Sequence, residues 1–88
     1  MEDSIHVRLL TPDASVWEGR VCSVTLPTPQ GLIGILHGHA PLLCAVAPGV
    51  LKCRSAAGET HSFTVSEGVA GVEKDELTLL LASAEELE

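Results

Sequence analysis

The chain has 88 residues, 12 of them acidic and 5 basic, for a net charge of −7, and 45% are hydrophobic. That length holds one domain and no second, and the apolar content excludes a disordered chain. The acidity, with Arg8, Arg20, Lys52, Arg54 and Lys74 scattered, makes nucleic acid and anionic lipid headgroups poor partners, since binding them needs clustered cations to displace counterions.

The periodicity along the chain is that of strands. Ile5, Val7 and Leu9 alternate with His6 and Arg8, so residues 5–9 read as a strand with one apolar face. Thr11-Pro12-Asp13 reads as a turn. Residues 15–17 read as a short strand that Glu18-Gly19 reverses, and residues 20–26 alternate again around Cys22, Val24 and Leu26. Pro27-Thr28-Pro29-Gln30-Gly31 reads as outside any strand, because proline removes a ladder donor. Residues 32–36 form a short apolar run in which Gly34 suggests a bulge or a close backbone approach.

His37-Gly38-His39-Ala40-Pro41 reads as a loop, residues 42–47 as a strand, and Pro48-Gly49 as the turn that closes it. Residues 50–54 alternate, Ala56-Ala57-Gly58-Glu59 turns, and residues 61–66 alternate around Phe63 and Val65. Glu67-Gly68 breaks that run, residues 69–72 resume it, Lys74-Asp75 turns, and residues 77–81 alternate around Thr78. Ser83-x-x-Glu86 has the spacing of a capping box, the start of a helix, and residues 85–88, with Glu85, Glu86 and Glu88, read as a solvated acidic tail. Short strands with turn signals every eight to twelve residues predict an all-β fold, a small sandwich or barrel. With one Trp, one Phe and no Tyr, its core must be built from Val, Leu, Ile and Ala.

No constellation of catalytic residues emerges. His37 and His39 flank a glycine, but no two cysteines lie close enough for the paired-ligand spacing of structural zinc, and no metal site is expected. A metal-dependent enzyme using His37, His39 and a cysteine is the weakest reading. No G-x-S-x-G elbow is present, and Cys22, Cys44 and Cys53 sit among strand hydrophobes that disfavour a thiolate. Gly31, Gly34 and Gly38 lack the Lys-Ser/Thr of a phosphate loop. The odd cysteine number, the absence of C-x-x-C and the acidic start Met1-Glu2-Asp3-Ser4 predict reduced thiols in a protein that is not exported. No run approaches the ~18 apolar residues of a membrane span. Such a domain acts through a surface, and a stand-alone sandwich that binds other proteins is one candidate.

The segment Gly31-Leu32-Ile33-Gly34-Ile35-Leu36-His37-Gly38-His39-Ala40-Pro41-Leu42-Leu43 resembles the signature G-x-[IL]-G-[IV]-[LY]-P-G-H-A-P-L-L of the epsilon subunits of F-type ATP synthases, called delta in mitochondria. Leu10-Thr11-Pro12, Val16-Trp17, Thr25-Leu26-Pro27-Thr28, Pro48-Gly49-Val50-Leu51, Phe63-x-Val65-Ser66-x-Gly68 and Leu77-Thr78-x-Leu80 are similar to the same family along residues 5–84. His37 stands where the family usually has proline, and Glu67 where it often has glycine.

The resemblance implies an antiparallel β-sandwich of about ten short strands over residues 5–84. It implies a non-catalytic rotor subunit in the central stalk, without a cofactor, that couples the gamma subunit to the c ring during ion-driven ATP synthesis. Gly38, His39, Ala40, Pro41 and Leu42 would meet gamma, Gly31 and Leu32 would face the c ring, and Gly34, Pro48, Gly49 and Gly68 would shape turns. The subunit would lie peripherally on the cytoplasmic, stromal or matrix-equivalent face of an energy-transducing membrane, without inserting into it. The family continues into a C-terminal helical hairpin that senses ATP. That hairpin is not among these residues, so ATP binding is not expected of them.

Overall fold

The computed structural model describes residues 4–87. Residues 1–3, the acidic start, and Glu88, the end of the expected tail, lie outside the described residues. Ten strands follow one another in chain order: β1 (Ile5–Thr11), β2 (Ala14–Val21), β3 (Ser23–Thr28), β4 (Gly31–Leu36), β5 (Leu42–Val46), β6 (Gly49–Arg54), β7 (Thr60–Val65), β8 (Gly68–Glu73), β9 (Glu76–Leu81) and β10 (Ala84–Leu87). They form two five-stranded sheets, β2-β1-β9-β8-β5 and β10-β7-β6-β3-β4, here called the first and second sheet. The described residues contain no helix.

Alternation explains the layering. A strand sends successive side chains to opposite faces, so β1 buries Ile5, Val7 and Leu9 and turns His6 and Arg8 outward. The same period buries Leu77, Leu79 and Leu81 in β9, Leu51 and Cys53 in β6, and Phe63 and Val65 in β7. These inner faces make one aliphatic core with Phe63 as its only fully buried aromatic ring. Trp17 of β2 bridges the sheets, its ring centroid 5.4 Å from Phe63 and 5.0 Å from His61, both on β7.

Hairpins keep the chain within a sheet at β1–β2, β3–β4, β6–β7 and β8–β9, and each remaining connection carries it to the other sheet. Pairing is antiparallel except between β1 and β9, which run parallel with Val7 opposite Leu77 and Leu9 opposite Leu79. That parallel pair joins the first strand to the last strand of its own sheet, so the first sheet forms only once most of the chain is present.

Several sequence expectations are corrected. Glu18-Gly19 does not reverse the chain; both lie inside β2, where a Cβ on Gly19 would come 2.8 Å from the Trp17 ring. The missing side chain there seats an indole rather than a turn. The run over residues 20–26 breaks at Cys22, where the chain leaves the first sheet for the second.

Pro27 and Thr28 belong to β3, paired with Leu32 and Gly31. The β3–β6 ladder has already stopped at Thr25↔Lys52, so β3 has no partner on that side that would need a donor from Pro27. The Pro27 carbonyl instead accepts from the Ala47 N–H at 3.0 Å. Gly34 is neither a turn nor a bulge; it sits in regular register opposite Thr25 with open space above it. The bulge lies instead at Leu9/Leu10, where β1 meets β2.

No helix starts at Ser83. Its N–H donates to Ser66 Oγ at 2.8 Å and its carbonyl accepts from the Ser66 N–H at 3.0 Å. Those bonds lay residues 84–87 against β7 as β10, so most of the expected tail is an edge strand. Pro48 does sit at a bend, and Gly49 and Gly68 are the first residues of β6 and β8.

The contrast between two glycines is testable. A Cβ on Gly68 would lie 2.1 Å from the Leu80 carbonyl oxygen and 2.9 Å from Leu81 Cα, both backbone atoms, whereas one on Gly34 meets nothing within 4 Å. Gly68→Ala is expected to cost at least about 2 kcal/mol in urea unfolding. Gly34→Ala should stay within about 0.5 kcal/mol of the natural chain. Equal stabilities for the two variants would refute this packing.

Candidate docking surface

The loop over residues 37–41 carries the chain from β4, at the edge of the second sheet, to β5, at the edge of the first. Gly38 turns it with φ of 83°, a conformation that side chains disfavour, and the His39 N–H donates to the Leu36 carbonyl at 3.1 Å. His39 Nδ1 lies 2.7 Å from the Ala40 carbonyl oxygen. A carbonyl only accepts, so Nδ1 carries the proton and a neutral ring keeps its Nε2 lone pair for another donor.

The loop is also held from outside by a residue that the sequence reading treats only as a turn former. Asp75, between β8 and β9, accepts the Gly38 N–H on Oδ1 at 2.7 Å and the His37 Nδ1–H on Oδ2 at 3.1 Å. The Gly38 bond is the largest influence and lowers the Asp75 carboxyl from its ordinary 3.8; desolvation opposes it, and the charge and hydrogen bond of His37 and the charge of Arg20 add to the lowering.

Beyond the loop, register assembles an apolar patch on the outer face of the first sheet. Ala45 pairs with Val69, Val69 with Leu80 and Leu80 with Leu10, giving a row across β5, β8, β9 and β1. The neighbouring row runs Leu43, Gly71, Thr78, Arg8. Leu43 is 80% exposed and Leu80 52%, far more than an aliphatic side chain in a finished interior. Leu43 and Gly71 line an open groove of about 770 Å³, with Arg8, Pro41, Glu73 and Lys74 around it.

At the loop end of this face, on the β1 side, the surface is ionic. His6 stands between Glu18 Oε2, 2.6 Å from its Nε2, and Glu76 Oε1, 3.1 Å from its Nδ1.

Gly38, His39, Ala40, Pro41 and Leu42 therefore stand together at one end of the sandwich, with Pro41 and Leu42 on the groove. Gly31 and Leu32 begin β4 at its other end, about 17 Å away along a six-residue strand. The structure does not bring these two groups into one site. Leu32 is 69% exposed beside the β3–β4 turn, and Pro48, Gly49 and Gly68 lie at that same end by strand register.

Sequence reasoning missed Val69, Gly71, Leu80 and Asp75. Alternation alone marks Val69 and Leu80 as outward apolar residues, but only strand order makes them neighbours. His37 and His39 do not converge on one point, since one faces Asp75 and the other Ala40. The cysteines are unpaired, and burial pushes the Cys53 thiol up to about 12.

The lowered Asp75 carboxyl sets a direction for pH. Its contribution is present above the unfolded value near 3.8 and is lost as pH falls through the lower folded value. Asp75→Asn keeps the turn but cannot ionise. The natural chain is expected to be more stable than this variant at pH 7, with the gap closing in strong acid. Urea unfolding at both pH values checks this, and a gap that does not change with pH would contradict it.

A sequence model of the family described as "ATP synthase, Delta/Epsilon chain, beta-sandwich domain" matches residues 4–87. The chain is 44% identical over 82 residues to the ATP synthase epsilon chain of Prochlorococcus marinus, covering 93% of this chain and 60% of that protein. It is 43% identical over 83 residues to the chloroplastic epsilon chain of Guillardia theta, covering 94% of this chain and 63% of the relative. Among solved structures, a chain of the Euglena gracilis mitochondrial ATP synthase, described as OSCP/F1/c-ring, superposes with a TM-score of 0.90 at 24% identity, over 98% of this chain and 55% of that one. A chain of the Tetrahymena thermophila enzyme, described as central stalk/cring, gives 0.75 at 19%, over 92% and 65%. The structural likenesses, both below 25% identity, speak to the fold. The chain spans about 60% of the length of the curated relatives it matches. Signature loop, ten-stranded sandwich and sequence relatives agree: the chain belongs to the delta/epsilon family of ATP synthase subunits, as its β-sandwich domain.

Proposed function

We propose that this domain is a coupling element of the rotor in an F-type ATP synthase, joining the gamma subunit to the c ring. The observation that carries the reading is the continuous surface formed by the loop over residues 37–41, Leu43 and the Val69–Leu80 row. Exposed aliphatic side chains packed into one patch mark a face that is covered in use, and obligate interfaces are more apolar than ordinary surfaces. Gamma would cover this face, with His39 Nε2 available to a donor on it. Gly31 and Leu32, at the opposite end of β4, would approach the c ring, so that one rigid strand separates the two contacts.

The mechanism asks for stiffness rather than bond-making. Torque passes through a joint in proportion to how little it yields, and close-packed interiors are poorly compressible. Two five-stranded sheets over an aliphatic core suit that task without a catalytic group, and we read the domain as a stalk piece with no active site of its own. It would sit peripherally on the face of the membrane where gamma meets the ring. No helix among the described residues is long and apolar enough to cross a bilayer.

Calorimetry or pull-down with the recombinant gamma subunit tests this. Leu43→Asp should weaken binding about 30-fold or more, as for a central hot spot, and leave the melting temperature unchanged, since Leu43 is 80% exposed. His39→Ala should weaken it about tenfold, the loss of one good hydrogen bond. Leu36→Asp, on the outer face of the other sheet, serves as the control and should bind normally. Failure of the natural chain to bind gamma would sink the proposal.

A further inference from the structure

The β8–β9 hairpin closes Glu73 against Glu76 through Lys74 and Asp75. Both turn residues have positive φ, 53° and 61°. Turns of this kind favour Asn-Gly or Asp-Gly, because a Cβ in that region is strained. A second position filled by Asp rather than Gly sets backbone ease aside, and what it supplies instead is visible. The Asp75 carboxylate spans from one hairpin to the loop of another connection: Oδ1 takes the Gly38 N–H at 2.7 Å and Oδ2 the His37 Nδ1–H at 3.1 Å. The Asp75 carbonyl accepts the His6 N–H at 2.9 Å, which ties the turn itself to β1.

We propose that Asp75 is the positioning residue of the docking loop, setting the orientation in which residues 38–42 are offered to gamma. This rests on the docking reading above. Gly38 is the residue most in need of such a restraint, because a glycine at positive φ has many other conformations open to it. A charge-assisted bond to its N–H removes them. His39, Ala40 and Pro41 follow directly, so an error at Gly38 displaces every contact of the loop. The strained turn is thus a strut rather than a mere connection, in keeping with the clustering of backbone strain at functional sites.

Substitution at this position separates the two roles. Asp75→Gly relieves the positive-φ strain while deleting the strut. If Asp75 only formed the turn, that variant would be at least as stable as the natural chain and otherwise identical. The proposal expects exchange of the Gly38 amide roughly tenfold faster by NMR and gamma affinity about tenfold weaker by calorimetry, whatever the relieved strain and the lost carboxylate bonds together do to the melting temperature. Asp75→Asn, which keeps an acceptor oxygen for the Gly38 N–H, should recover most of both losses.

Unchanged Gly38 exchange in Asp75→Gly would overturn the proposal. So would faster exchange with unaltered affinity, or a uniform rise in exchange across the chain, which would reveal a purely structural residue. Absence of gamma binding by the natural chain strikes the docking reading instead, and the Gly38 exchange then decides the strut alone.

Discussion

The contact between the inner faces of the two sheets is the interaction on which everything else in this domain rests. Each strand contributes every second side chain to it, and with Phe63 the only fully buried aromatic ring, the contact is made by Leu, Ile and Val. Branched aliphatic side chains on opposed pleated faces interdigitate closely, and their removal from water is the main favourable contribution to the fold. Where the layer ends at the β2 side, Trp17 closes it against Phe63 and His61.

That inner contact also determines what is left outside. Once Leu42, Val72, Leu77 and Val7 point inward, Leu43, Gly71, Thr78 and Arg8 point outward in a second row. The outer face of the first sheet is therefore not a random remainder: Val69 and Leu80 lie side by side because their inner neighbours Ala70 and Leu79 are paired. The loop over residues 37–41 is subject to the same logic. It must cross from one sheet to the other between β4 and β5, so its ends are fixed by the core, and the Asp75 strut fixes its middle. An ordered loop beside a preformed apolar face gives a partner little to reorganise on binding.

Much of this was readable from residue order. The alternation in residues 5–9, 50–54 and 77–81 is strong because each of those strands has one buried and one exposed face. The segment from Gly31 to Leu43 carried the family and with it the loop of the candidate site. The misreadings share a cause. Gly19, Pro27 and Gly34 are residues whose local preference is to interrupt a strand. In each case the interruption does not happen because of how the strand is packed or paired: the Trp17 ring in place of a Cβ, a β6 ladder that stops at Thr25, a regular pairing with β3. Ser83 likewise has the spacing of a helix cap, but Ser66 takes its backbone groups first.

By itself the sequence determined that the chain is a small all-β domain with an aliphatic interior, acidic outside, carrying one recognisable loop, because period-two alternation and turn residues are local properties. Tertiary structure alone decided the parallel pairing of β1 with β9, the gathering of Leu43, Val69 and Leu80 on one face, and the reach of Asp75 to Gly38. Apart from the hairpin neighbours Val69 and Leu80, these join residues about 26 to 70 positions apart. Which pairs meet at such separations depends on the order of strands in the sheets, and that order is settled only when all inner faces are buried together.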